Sequence, residues 1–167
     1  LTTTGFTTTN YLDWGNTSLI IIFILLFVGG CAGSTTGGIM LIRTLLILKY
    51  LRSTIKKLVH PNGVYPIKIG KKEISDQIVQ NVLGFYLFYI LIFMILSLII
   101  ALTANTNFIS SLAVSASTIG NIGPGLGVIG PLNNWADFPE STKWITSFCM
   151  LLDRLEIFTV IIFFSRT

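Results

Sequence analysis

Gly29-Gly30-Cys31-Ala32-Gly33-Ser34-Thr35-Thr36-Gly37-Gly38 divides two apolar runs, Leu19 to Val28 and Ile39 to Leu51. As one continuous helix, Leu19 to Leu51 would extend about 50 Å at ~1.5 Å per residue. A bilayer's hydrocarbon core is only about 30 Å thick. Two half-spans separated by an irregular loop therefore fit better than one straight span. Glycine permits unusual dihedrals, and Ser and Thr can bond the backbone groups that a broken helix frees. Irregular backbone persists at membrane depth only inside protein or beside a water-filled path. The stretch is thus a candidate gate or binding loop. A second reading stays open: Gly29, Gly33 and Gly37 are spaced small-xxx-small, which lets helices approach closely. A phosphate loop is disfavoured, because the Lys of GxxxxGK[ST] is missing.

Composition points the same way. Of 167 residues, 52% are hydrophobic and 11% charged, and the mean hydropathy is +0.79. A soluble domain carries about 25% charged residues, so this is an integral membrane protein or a piece of one. The chain opens on Leu1-Thr2-Thr3-Thr4-Gly5, with no initiator Met and no basic region of a signal peptide. It is expected to begin inside a longer protein. Cys31 and Cys149 lie in apolar surroundings without a Cys-x-x-Cys spacing. Small buried side chains, not structural metal ligands, are the expectation. His60 precedes Pro61 in a polar loop and reads as solvated. Eight of the eleven Lys and Arg residues fall between Arg43 and Lys72. A nucleic-acid patch is the alternative, but this cluster lies between membrane spans. The positive-inside rule places the 43–72 side in the cytoplasm, near anionic lipid heads, with no nucleic-acid partner.

Along the chain, residues 1–16 are too polar to span and read as an exterior loop, with Tyr11 and Trp14 suited to the membrane interface. Residues 17–59 form a broken transmembrane helix interrupted at 29–38, in which Arg43 is expected to snorkel towards the cytoplasm. Residues 60–76 are a cytoplasmic linker with turn signals at Pro61-Asn62-Gly63 and Pro66. A short strand or extended segment is expected at Tyr65 to Gly70, and a surface helix starting at Glu73 to Gln80. Residues 77–104 form the next span; Val82 to Leu102 contains no charged residue and is long enough to cross. In 105–130, Thr106 or Asn107 can cap a helix over Phe108 to Ile119. That helix is only about 18 Å long at ~1.5 Å per residue. Thr118-Ile119-Gly120-Asn121-Ile122-Gly123-Pro124-Gly125 then cannot continue it. A half-helix entering the membrane and returning as extended chain explains this pattern. Its C-terminal dipole would favour a cation, and the following carbonyls could replace the ion's water shell. The alternative is an amphipathic helix and loop on the outer surface. Residues 131–143 read as an exterior loop, and 144–167 as the final span, starting at Trp144.

Asp153, Arg154 and Glu156 fall near the middle of that span. A charge facing lipid costs about 2.5–3.5 kcal/mol on insertion scales, so all three should face protein or water. At ~100° per residue, Arg154 and Glu156 point about 160° apart, while Asp153 and Glu156 are about 60° apart. Arg154 is expected to face a central path while Glu156 pairs with another helix. A buried structural network of all three is the alternative.

Thr3-Thr4-Gly5-Phe6 aligns with Thr118-Ile119-Gly120-Asn121, each before a polar loop and a span. This implies a repeated unit of helix, pore loop and helix, of which the first copy lacks its beginning. With Thr-Thr-Gly-Phe-Thr-Thr-Thr-Asn-Tyr at 3–11, Gly-Gly-Cys-Ala-Gly-Ser-Thr-Thr-Gly-Gly-Ile at 29–39, Thr-Ile-Gly-Asn-Ile-Gly-Pro-Gly at 118–125 and Arg-Leu-Glu-Ile-Phe at 154–158, the sequence resembles the Trk/Ktr/HKT superfamily of potassium transporters, in particular its bacterial Trk-type membrane subunit.

The resemblance implies an all-α integral membrane fold of helix–pore loop–helix repeats, like a potassium channel, with a broken transmembrane helix and a re-entrant pore loop. Four such repeats would surround one ion path, and this chain would supply the end of the third and all of the fourth. Residues 1–16 then include the end of the third pore loop. The implied function is potassium uptake across the bacterial cytoplasmic (inner) membrane. The selectivity filter maps onto Thr3, Thr4, Gly5, Thr118, Ile119 and Gly120. The gate maps onto Gly29, Gly30, Gly33, Ser34, Thr35, Thr36, Gly37 and Gly38, opposed by Arg154. Potassium is the transported substrate, with no cofactor, no structural metal and no enzymatic step. A homodimer in membrane lipid and a cytoplasmic nucleotide-binding regulatory subunit on the basic side are implied partners. Two residues depart from the pattern: Asp153 stands where the family has Gly, and Met40 where it has Lys. Competing readings are a sodium-permeable or sodium-coupled transporter of the same fold, an intramembrane enzyme and a structural membrane subunit. Asp153 and Glu156 are the only intramembrane carboxylate pair for an enzyme, with no His beside them.

Overall fold

The computed structural model describes residues 4–30, 39–60, 63, 65–69 and 72–154, the side chains of 72 and 154 excepted. Among the described residues, five helices carry the fold: α1 over Asn16–Phe27, α2 over Leu41–Val59, α3 over Asp76–Ala104, α4 over Phe108–Ile119 and α5 over Glu140–Arg154. Single 3-10 turns occur at Tyr11–Asp13 and Gly127–Ile129. The architecture is mostly helical, and a two-stranded antiparallel hairpin, β1 (Lys68–Ile69) and β2 (Lys72–Glu73), joins α2 to α3.

The hairpin modifies two expectations. The extended segment from Tyr65 acquires a partner strand, so Glu73 belongs to β2 and the helix begins three residues later. Glu73 stands opposite Lys68, and their side chains form an ion pair at 2.8 Å. Asp76 then lies in the first turn of α3, where its charge suits the helix dipole. α5 likewise starts at Glu140, before the expected Trp144. Pro139 ends the preceding loop, and its carbonyl accepts from the Lys143 amide at 3.1 Å, so a polar first turn is already helical.

α3 is the one helix among the described residues long and apolar enough to cross a membrane, while α1 and α4 are apolar but shorter. It ends at Asn105, whose left-handed conformation (φ 48°) is one that Asn tolerates better than most residues. Its Phe85, Tyr89, Phe93, Leu96 and Ile100 are buried, whereas Leu87, Leu91, Met94, Leu98 and Leu102 are exposed. A bare apolar face of this extent is costly in water and suits lipid or further apolar protein.

α4 lies at the centre, packed by α1, α3 and α5. Nine of its twelve residues are buried, five of them Ser or Thr. Three of these hydroxyls can be buried because they return to carbonyls one turn back: Ser111 to Asn107 (3.1 Å), Ser115 to Ser111 (2.9 Å) and Thr118 to Val114 (2.7 Å). Small side chains also let neighbouring helices approach closely. On the outside of this helix, Thr142 of α5 donates to the Thr103 hydroxyl of α3 at 2.9 Å. A second, smaller core of Leu46, Ile67 and Val79 fixes the hairpin against α2 and α3.

Candidate functional site

The chain reverses just beyond α4. Asn121 adopts a left-handed conformation (φ 49°). Its amide bonds the Thr118 carbonyl (3.1 Å), and the Ile122 amide reaches back to the Ser117 carbonyl (3.0 Å). These two bonds make a Schellman-type C-terminus with Asn in the position usually held by Gly. Thr118 and Ile119 are therefore in the last helical turn, fully buried or nearly so. Gly120 is the C-cap with right-handed dihedrals (φ −77°, ψ −3°). The path leaves the helix only at Asn121-Ile122-Gly123, where Gly123 has φ +98°. The Ser117 hydroxyl, donating towards the Gly123 and Pro124 carbonyls at 2.8 and 3.1 Å, holds this turn under the helix end.

The second glycine-bearing loop meets this turn directly. Gly5 has φ +77°, and a Cβ there would fall 2.5 Å from the Ile122 carbonyl oxygen and 3.1 Å from Pro124. Only glycine allows both the dihedral and the approach. Tyr11 fastens the loops together by donating to the Gly125 carbonyl at 2.6 Å, and burial pushes its phenol pKa up. Leu12 packs on Gly130. A cavity of about 260 Å³ remains between Thr4, Gly5, Thr7, α1 and Ile122.

The broken helix reaches the same place. α1 stops at Phe27, and Val28 bridges in parallel to Ile39. The Gly29 amide donates to the Ile39 carbonyl (2.9 Å), and the Leu41 amide to the Gly30 carbonyl (3.1 Å). The excursion between Gly30 and Ile39 thus leaves and returns at one point. The Leu26 carbonyl lies beside Gly120, 3.0 Å from where a Cβ would be. Phe27 stacks edge-on against Phe93 at 5.1 Å, and Arg43 lies 4.2 Å over the Phe85 ring. The expected snorkelling arginine therefore meets an aromatic face, a favourable cation–π geometry.

Gly5 is thus brought to the turn that follows Thr118, Ile119 and Gly120, with Thr4 at the edge, while Gly29 and Gly30 bond Ile39 and Leu41 just beyond the end of α1. Thr3, Gly33, Ser34, Thr35, Thr36, Gly37 and Gly38 lie outside the described residues, as does the side chain of Arg154, the last described position of α5. Asn121, Ile122 and Gly123 were not singled out as site residues, although they form the point of contact with Gly5. Two signals mark them: Asn is the second choice after Gly for a left-handed helix C-terminus, and Gly-Pro prevents the helix resuming.

Apolar helices with bare outer faces, gathered round a buried helix too short to cross, have the architecture of a helical membrane protein. The family model described as TrkH, cation transport protein, matches residues 1–167, and the chain belongs to that family. It is 41% identical over 166 residues to the Trk system potassium uptake protein TrkH of Salmonella typhimurium, covering 99% of this chain and 34% of the relative. The Escherichia coli K12 protein of the same name is 40% identical over the same lengths. Among solved structures, the crystal structure of the potassium transporter TrkH from Vibrio parahaemolyticus superposes with a TM-score of 0.86 at 39% identity, covering 97% of this chain and 34% of that one. The chain spans about a third of the length of these relatives.

Proposed function

We propose that this chain is part of the translocating subunit of a potassium uptake protein. Its relatives carry that name. The observation that carries the reading is the abutment of Gly5 on the Ile122 carbonyl at the C-terminal end of α4. A dehydrating cation needs backbone oxygens held rigidly in place of water. Two loops that interlock through glycine, at the negative end of a helix dipole, meet that need. The third loop contributes Thr3, Thr4 and Gly5. For the fourth loop we assign Asn121, Ile122 and Gly123 in place of Thr118, Ile119 and Gly120. The Thr118 carbonyl is already committed to the Asn121 amide. Gly123 shares the positive φ of Gly5, and a Cβ on it would meet nothing within 4 Å, whereas one on Gly120 would press on the Leu26 carbonyl. Gly120 thereby becomes the residue that lets the broken helix sit against the filter.

The gate in this reading is the 29–38 stretch, with Arg154 opposing it; Gly29 and Gly30 on one side of it are tied to Ile39 and Leu41 on the other. The protein performs no covalent chemistry. It lies in the bacterial inner membrane with the basic 43–72 side in the cytoplasm, works as a homodimer, and receives a nucleotide-binding regulatory subunit on that side.

The test is rubidium and sodium flux in liposomes holding the full-length protein. Gly123→Ser is expected to admit sodium and to fold with only the left-handed backbone cost of about 1–2 kcal/mol, since its side chain meets nothing. Gly120→Ser is expected to lower the yield of folded protein and leave the selectivity of what folds intact. Sodium leak through Gly120→Ser with Gly123→Ser behaving as wild type would reverse the assignment. Equal rubidium and sodium flux through the wild type would end the potassium reading.

A further inference from the structure

We infer that the cytoplasmic end of α2 holds a built site for the phosphate of an anionic phospholipid headgroup. A cavity of about 330 Å³ opens there between α2 and the segment leading into β1. Lys49, Arg52, Ser53 and Lys56 line it from α2, and Tyr65 and Lys68 from the opposite wall. Positions i, i+3, i+4 and i+7 fall on one helix face, so the cations converge. The far wall is fixed: the buried Ser53 hydroxyl donates to the Tyr65 carbonyl at 2.9 Å, Lys49 donates to the Lys68 carbonyl at 2.6 Å, and Ile67 is buried in the small core.

Not all of this charge is spent. Lys68 is paired with Glu73, and Lys49 is engaged with backbone. Arg52 forms no ion pair or hydrogen bond among the described residues, and Lys56 contacts only the Tyr65 ring, at 5.9 Å. A guanidinium fork beside an ammonium is the pairing that suits phosphate oxygens.

The apolar surface leading to the cavity favours a lipid as the source of that phosphate. Leu41, Leu45 and Leu48 are all exposed, and with Arg52 they occupy i, i+4, i+7 and i+11, one continuous stripe. Leu41 to Arg52 covers about 16 Å at ~1.5 Å per residue. That is close to half of a hydrocarbon core about 30 Å thick. An acyl chain laid along the three leucines would bring its headgroup to Arg52. Because α2 starts where the broken helix resumes, the site would load the helix that leads out of the gate. The inference does not depend on which glycines form the filter.

Native mass spectrometry of the full-length protein in detergent, titrated with phosphatidylglycerol or phosphatidylcholine, tests this. Wild type should retain phosphatidylglycerol in preference to phosphatidylcholine. The double variant Arg52→Gln/Lys56→Gln should weaken that retention about 30-fold, from the weight of two cations near an anionic surface. Lys57→Gln, outside the cavity, should change nothing, and Arg52→Lys/Lys56→Arg should restore most of the binding. Equal retention of the two lipids, or an unchanged double variant, would overturn the site. Displacement of phosphatidylglycerol by equimolar inorganic phosphate would overturn the lipid assignment in favour of a soluble phosphate. If the double variant does not fold, the lipid preference and phosphate competition of wild type decide the matter.

Discussion

Gly5→Ala is the sharpest perturbation of the junction, because its two penalties can be separated. At φ +77° an alanine pays the left-handed cost, about 1–2 kcal/mol. Its Cβ would also sit 2.5 Å from the Ile122 carbonyl oxygen, when ordinary contact begins at 3.4 Å. Backbone cannot rotate away as a side chain can, so the loops must part by nearly 1 Å. Overpacking of this kind adds about 1–3 kcal/mol. Gly123→Ala is the matched control: its φ is +98° and its Cβ would enter open space, so it pays only the first cost, about 1–2 kcal/mol. Thermal unfolding of the full-length protein should place Gly5→Ala below Gly123→Ala, and both below wild type. Functional geometry tolerates only about 0.5 Å of displacement. Gly5→Ala should therefore lose rubidium-over-sodium selectivity as well as stability. Equal unfolding midpoints for the two variants, or a wild-type flux ratio in Gly5→Ala, would refute the proposed interlock.

Other consequences follow from single contacts. The Tyr89 hydroxyl is fully buried and finds no hydrogen-bond partner among the described residues; since an unmet buried donor costs about 1–3 kcal/mol, Tyr89→Phe should be neutral or stabilising in a thermal melt, and a clear loss would show that the hydroxyl has a partner. Thr142→Val removes the donor to Thr103, whose own hydroxyl still reaches the Ile99 carbonyl, so α5 should loosen from α3 by only about 0.5–1.5 kcal/mol; a loss of several kcal/mol would contradict this. Tyr11 has a raised pKa in the fold, so its contribution is complete below pH ~10, the unfolded value, and declines as pH rises from there through the folded value, where the unfolded chain binds fewer protons. The unfolding midpoint should fall above pH ~10, and Tyr11→Phe should show a shallower fall; identical pH profiles would remove Tyr11 from that account.

Much of the fold was legible because membranes impose length. Leu19 to Leu51 is too long for one span, so the glycine-rich interruption had to break it. Phe108–Ile119 is too short, so it had to be buried by others. The register that we propose for the loop after α4 is less legible. Thr118-Ile119-Gly120 and Asn121-Ile122-Gly123 each put Gly two residues after a polar residue, and the likeness to Thr3-Thr4-Gly5 favours the first by its Thr. The difference lies in where hydrogen bonding stops. Thr118 still belongs to the helix, and the left-handed Asn121 closes it. The short hairpin was half visible: its first strand reads as extended, but the partner strand depends on Glu73 meeting Lys68.

By itself the sequence determined the membrane class, the broken helix and the family resemblance, because hydropathy, span length and glycine spacing are local properties that the bilayer converts directly into structure. Only the tertiary structure decided which glycines touch. Gly5 and Ile122 are far apart in the chain, and their contact arises when the loop carrying Gly5, the end of α1 and the C-terminus of α4 pack at one point. No local propensity encodes such a meeting; it depends on three separate segments burying their apolar surface around α4.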